Sequence, residues 1–287
     1  MKSLQIPVRM VGPGSHVEEE ELQCLAIPRD MRTFTMPRVP ESADAQALAA
    51  ARDLLAGVLA KMQRWPSSHA GNLRFDLRDV PQATLDVTND MLGDGEVSIQ
   101  VNGERRLKIQ ESVFTGLWRA VELDADGLVV DDWIEAGPLP ADVVDAARVG
   151  ARADLPMLEI PPGAMNSPAL LHELRGQIAT RRLGDPAHVI NLTLFPLTPE
   201  DHQVLERALP VGSVAIISRG FGNCRITSTA VRDIWRVQYF NSMNTLILNT
   251  IEVVDVPEVA LAAGEDLDDT RERLAELIEW MSEDCAA

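Results

Sequence analysis

The chain has 287 residues, 46% hydrophobic and 24% charged. That suits one large domain or two modest ones and excludes a disordered polyelectrolyte. Its 26 basic residues stand against 44 acidic ones, a formal net charge of −18. Bulk attraction to nucleic acid or to an anionic membrane is therefore disfavoured, while a basic polypeptide would be drawn in. The cysteines Cys24, Cys224 and Cys285 are far apart and form no CxxC, which excludes a disulfide framework and an all-cysteine cluster site within the chain. No apolar core of signal-peptide length opens the sequence, and no run reaches the roughly 18 apolar residues of a membrane span. The expectation is a cytoplasmic protein with no membrane insertion.

In chain order, residues 1–41 combine Gly12-Pro13-Gly14, the acidic run Glu18 to Glu21 and prolines at 7, 28, 37 and 40, the composition of an extended N-terminal arm. Residues 42–145 predict a first α+β unit. It begins with an Ala- and Leu-rich helix over 42–63, with Ser42 as its cap, and a strand over 72–77. A helix over 81–92 follows, with Pro81 in its first turn and Gly93 as its stop. Strands then cover 95–101, 105–110, 114–123 and 128–134, and Asn102-Gly103 turns the first hairpin. Residues 146–166, with Pro156, Pro161, Pro162 and Gly163, read as a linker.

Residues 167–262 predict a second unit on the same plan: a helix over 167–182 opened by Ser167 and Pro168, a strand over 189–194, and a helix from Thr198-Pro199-Glu200 to Leu209. Strands follow over 213–218, 224–229, 231–240 and 245–253. Residues 263–287 form an acidic tail. An amphipathic helix over 266–282 in that tail aligns Leu267, Leu274, Leu277, Ile278 and Met281. From Glu252 onward, 12 acids and 2 bases give a net charge of −10.

A shift of 117 residues superposes Gly95, Val97, Ile99 and Gly103 on Gly212, Val214, Ile216 and Gly220, Ile109 on Ile226, and Trp118-Arg119 on Trp235-Arg236. It also superposes Ile134-Glu135 on Ile251-Glu252 and Pro140 on Pro257. Composition alone would match roughly three positions. The fold class read from this is α+β, a tandem duplication of an α-β-α-β-β-β-β unit with mostly antiparallel sheets, an N-terminal arm and a C-terminal helix.

Candidate binding residues cluster in the second unit. Phe221, Gly222, Asn223, Cys224 and Arg225 form a glycine-rich turn able to approach a partner backbone. Cys224 reads as a small buried hydrophobe, since Leu107 occupies the matching position, yet the thiol is peculiar to the second copy. Arg225 would lower the thiol pKa if the two were close, but neighbours on a strand point to opposite faces. Arg236, Tyr239 and Asn241 lie on or beside one strand. Tyr239 is the only tyrosine, and Tyr and Arg are frequent binding hot spots. No HExxH, Walker lysine, GxGxxG or GxSxG is present, so no catalytic residue, metal site or cofactor is assigned and the chain is not expected to be an enzyme.

The runs Ile217 to Thr229, Trp235 to Ser242 and Thr245 to Val259 resemble the HupH/HyaF family of hydrogenase expression/formation proteins. Val11-Gly12-Pro13-Gly14-Ser15 and Met165 to Leu171 resemble the same family. The resemblance implies an accessory chaperone for maturation of an uptake [NiFe] hydrogenase that uses no cofactor of its own. It would bind the small-subunit precursor, together with a thioredoxin-like accessory protein. Two other readings stand beside it: a thiol-dependent enzyme or metal/cluster carrier centred on Cys224, and a structural dimer formed through exposed sheet edges.

Overall fold

The computed structural model describes residues 34–38, 44–65, 71–220 and 222–284. Most of the expected N-terminal arm lies outside them. Within the described part, Thr35 makes an antiparallel bridge to Asp94, with N–H···O distances of 2.9 and 3.1 Å.

The first half runs α1 (Ala45–Met62), β1 (Leu73–Asp76), α2 (Gln82–Leu92), β2 (Val97–Asn102), β3 (Arg106–Glu111), β4 (Leu117–Leu123) and β5 (Val129–Ala136). After α3 (Ala141–Arg148), the second half runs α4 (Ser167–Thr180), β6 (His188–Asn191), α5 (Pro199–Ala208), β7 (Val211–Ser218), β8 (Asn223–Thr229), β9 (Ile234–Phe240) and β10 (Leu246–Val253). The helix α6 (Gly264–Asp284) follows. None of the described helices is long and apolar enough to cross a membrane.

The fold is α+β. Among the described residues, ten strands join one antiparallel sheet in the order β1-β5-β4-β3-β2-β7-β8-β9-β10-β6. Read outward from the central β2–β7 pair, the order is the same on both sides. At that seam Ile99 lies opposite Ile216, Val97 opposite Ser218 and Val101 opposite Val214. Ile99 and Ile216 are also the residues that the 117-residue shift superposes.

Alternation sends successive side chains to opposite faces. One face carries the central core: Ile99, Val101, Leu107, Ile109, Trp118, Trp133, Val214, Ile216, Cys224, Ile226, Trp235 and Val237. Val143 and Ala147 of α3 close over it. On the other face, α1, α2 and α6 pack over Leu73, Leu117, Ile134 and Ala136. At the far end, α4 and α5 pack over Ile190, Ile234, Ile251 and Val253. The C-terminal helix thus returns to the first half. Its Thr270 hydroxyl donates to Thr115 O at 2.8 Å, and Arg271 donates to Met62 O and Trp65 O at 3.1 and 3.2 Å.

Several local expectations change. The sequence reading contains no α3. This eight-residue helix follows Pro140 at its N-cap and covers the seam region. Asn102-Gly103 does not make a two-residue turn: Asn102 pairs with Arg106, so Gly103, Glu104 and Arg105 form a three-residue loop. Ser42 lies outside the described residues, and Asp44 holds the N-cap position of α1. Pro81 precedes α2 as its N-cap and Asn166 precedes Ser167 in α4. The strand expected over 189–194 ends at Asn191, whose side chain accepts from Thr193 N and starts a 3-10 turn over Leu192–Leu194.

Candidate protein-binding site

The predicted residues divide between the two faces of the sheet. Cys224 pairs directly with Tyr239 on the core face. Cys224 is 2% exposed. Burial pushes its thiol up to about 11, against the hydrogen bond from the Tyr239 hydroxyl and with the negative Glu252 nearby. Burial, together with Cys224, pushes Tyr239 up to about 12. Burial likewise raises Glu252, opposed by a bond from the Thr250 hydroxyl. At neutral pH Cys224 and Tyr239 are a protonated thiol and phenol on the core face, not an activated nucleophile. Among the described residues, no group of three His, Cys, Asp or Glu side chains is placed to hold a metal ion.

Arg225 points the opposite way, as strand alternation requires. Its guanidinium lies 4.2 Å from the centroid of the Phe240 ring, and Nη2 donates to Asn244 Oδ1 at 3.2 Å. The cation–π contact holds the charge beside the β9–β10 hairpin. Asn223 is exposed beside Gly222, whose φ of 96° belongs to the region that favours glycine. Phe221 lies outside the described residues. Asn241 is occupied by its own turn: Oδ1 accepts from Met243 N at 3.0 Å and from Thr245 N at 2.9 Å. Asp124, its counterpart at the 117-residue shift, does the same for Asp126 N and Leu128 N, both at 2.9 Å.

Arg225 and Arg236 belong to a larger surface. The apolar clusters beneath the described helices take side chains of this sheet face from β1, β4, β5, β6, β9 and β10 only. Over β2, β3, β7 and β8 the face displays Gln100, Lys108, Gln110, Ala215, Ile217, Arg225 and Thr227, half-buried or exposed. With Arg106, Arg119 and Arg236 on the same face, this part of an acidic chain is basic. Arg119 is neutralised by Asp132, with Nη2 to Oδ2 at 2.9 Å, and is held by Asn89 Oδ1 at 2.8 Å. Sequence reasoning missed Lys108, Gln100 and Gln110. The signal was available, because the 117-residue shift places Lys108 on Arg225 and Arg119 on Arg236. A base therefore recurs at both positions of each half.

The outer face of α6 has the opposite sign. Glu265, Asp266, Glu272, Glu276 and Glu279 are exposed on it, while Asp268 pairs with Arg271 and Asp269 with Arg273. The chain therefore presents a basic, hydrogen-bonding sheet face and a separate acidic helix. Both suit recognition of a polypeptide.

Comparison with known proteins extends over nearly the whole chain. It is 43% identical over 282 residues to the hydrogenase expression/formation protein HoxQ of Cupriavidus necator, covering 98% of this chain and 99% of that protein. It is 39% identical over 284 residues to the hydrogenase expression/formation protein HupH of Rhodobacter capsulatus, covering 97% and 98%. The hydrogenase-1 operon protein HyaF of Escherichia coli K12 is 33% identical over 214 residues, 74% of each chain. Residues 48–152 and 164–281 match the C-terminal conserved region of the HupH hydrogenase expression protein, so the chain belongs to the HupH/HyaF family of hydrogenase expression proteins.

Proposed function

We propose that the chain is a cytoplasmic accessory chaperone in the maturation of an uptake [NiFe] hydrogenase, which binds the small-subunit precursor before its clusters are complete and before export. The observation that carries this reading is the match, 39% and 43% identical over nearly the full length, to proteins named for hydrogenase expression and formation. The charge pattern supports it. The acidic face of α6 suits a basic export signal, and the polar sheet face over β2, β3, β7 and β8 suits a chain held without chemistry. A thioredoxin-like accessory protein of the same pathway is a second partner in this reading. The role needs no cofactor and no catalytic residue. Burial and protonation of Cys224 weigh against a thiol enzyme or cluster carrier.

The same proposal takes the chain to be a duplicated α+β unit. Support comes from the strand order repeated on both sides of the β2–β7 seam, the seam register and the matched turns at Asp124 and Asn241.

The test is co-purification of this chain with hydrogenase small-subunit precursor, made with and without its export signal, across a salt series. Specific recovery of precursor is expected, and it should weaken with salt when the signal is present. Equal recovery of unrelated proteins would overturn the chaperone reading. Recovery that is indifferent to both salt and the signal would remove the part assigned to α6.

A further inference from the structure

A cleft of about 280 Å³ opens where the C-terminal ends of α3 and α4 meet the end of β10 and the turn before β9. Among the described residues, Arg148, Arg181, Arg182 and Arg232 line it against two acids, Asp233 and Asp255. Four positive charges less two negative leave +2 in a chain whose total is −18. Ile178, Leu183 and Val253 supply its apolar wall. The volume lies near the lower end of small-molecule sites.

Both acids are already engaged. Arg148 Nε donates to Asp233 Oδ1 at 3.0 Å and its Nη2 to Asp255 Oδ1 at 2.9 Å. The Gly184 amide donates to Asp255 Oδ2 at 2.8 Å. Arg182 and Arg232 are exposed, and the Arg232 Nε bond goes to a carbonyl, Ala151 O, at 3.2 Å. Arg181 has a side chain only 8% exposed. Its Nη1 donates to Val253 O at 3.3 Å and its Nη2 pairs with Asp255 Oδ1 at 2.9 Å, while its buried Nε has no acceptor among the described residues. Burial opposes the Asp255 charge, but the Gly184 amide and Arg181 hold its carboxyl below the ordinary range. With Nη2 on Asp255, the Nε–H is the donor of the Arg181 guanidinium left for an oxygen of an anionic group. Leaving such a donor buried without an acceptor is unfavourable unless a ligand or a rearrangement of the cleft supplies one.

We propose that this cleft binds a small organic dianion, with its oxygens against the arginines and its carbon body against Leu183 and Ile178. The dianion matches the excess charge, and the apolar wall is of no use to a bare inorganic ion. Neither the sheet face nor α6 takes part, so this site stands or falls apart from the maturation reading.

The probes are phenyl phosphate, succinate and inorganic phosphate, added to the full chain while its thermal midpoint and calorimetric heat of binding are followed. Phenyl phosphate or succinate should raise the midpoint with increasing concentration. The response that exceeds the other identifies the anionic group. Arg182→Gln combined with Arg232→Gln, which breaks no ion pair among the described residues and removes one surface bond, from Arg232 Nε to Ala151 O, should leave the chain folded with a ligand-free midpoint within a few degrees of the parent and weaken binding at least about tenfold. An equal response to inorganic phosphate would overturn the organic ligand. No response to any probe, or an undiminished response in the double variant, would overturn the site.

Discussion

At Cys224, position and protonation argue together. The thiol lies among Ile226, Val237 and Trp235 in the central core, and its pKa moves from 9.0 to about 11. In the native protein at pH 8, peptide-resolved iodoacetamide labelling should leave Cys224 unmodified until denaturant is added. Cys224→Ala should cost about 1 kcal/mol of stability and leave hydrogenase maturation intact. Rapid native labelling, or loss of maturation in a folded variant, would restore a chemical role for the thiol.

Glu111 is a buried acid with a consequence for pH. It is 6% exposed and accepts from the Gly116 amide at 3.0 Å. Burial pushes its pKa from 4.5 to about 7, with Glu96 and Asp266 adding repulsion. Because the folded state then holds a proton that the unfolded chain releases near 4.5, stability falls as pH rises through this window and levels off above 7. Glu111→Gln keeps an acceptor for Gly116 and removes the ionisation. Its stability relative to the parent should grow by about 2–3 kcal/mol between pH 5 and pH 8 in urea unfolding. A difference independent of pH would show that Glu111 titrates normally.

At the scale of elements, Asp201 joins two helices. It closes the capping box of α5 with Thr198 and also accepts from Asn166 N at 3.0 Å and Ser167 N at 2.8 Å, at the start of α4. Burial opposes the charged form, but the amides of Ser167, Thr198 and Asn166 prevail and hold the carboxyl well below its usual range. The lowered pKa means that this stabilisation is complete above the ordinary aspartate value near 4 and fades as pH falls below it. Asp201→Asn should cost about 1.5–3 kcal/mol at pH 7. The loss should shrink in acid, as read from chemical denaturation at pH 7 and pH 3.

The start of α5 was legible in the sequence because Thr198-Pro199-Glu200 specifies a cap locally, and the strands were legible because they alternate. α3 was not, since eight residues between prolines and a glycine carry little periodic signal, and its position over the core depends on Val143 and Ala147 meeting strands distant in sequence. The candidate site was half legible for the same reason. Arg225 and Arg236 stand out in their own strands. Their grouping with Lys108 and Gln100 follows from the β2–β7 register, which no local pattern encodes.

At the scale of the molecule, the β2–β7 seam makes the two halves interdependent. Ile99 is 1% exposed, as is Ile216 opposite it, and the central core they enter draws on both halves and on α3. A seam of this kind couples the halves more tightly than a linker does, because opening it exposes apolar surface and two ladders of backbone groups at once. α6 adds a second tie from the chain's end to α1. Urea unfolding should therefore be a single transition, coincident by tryptophan fluorescence and far-UV circular dichroism. Ile216→Ala should lower its free energy by about 2–4 kcal/mol while keeping one transition. The loss from Ile99→Ala combined with Ile216→Ala should differ from the sum of the single losses, since facing residues share one cavity. Two separated transitions, with only the second half affected by Ile216→Ala, would mean that each half folds on its own and that the seam is a contact between finished units.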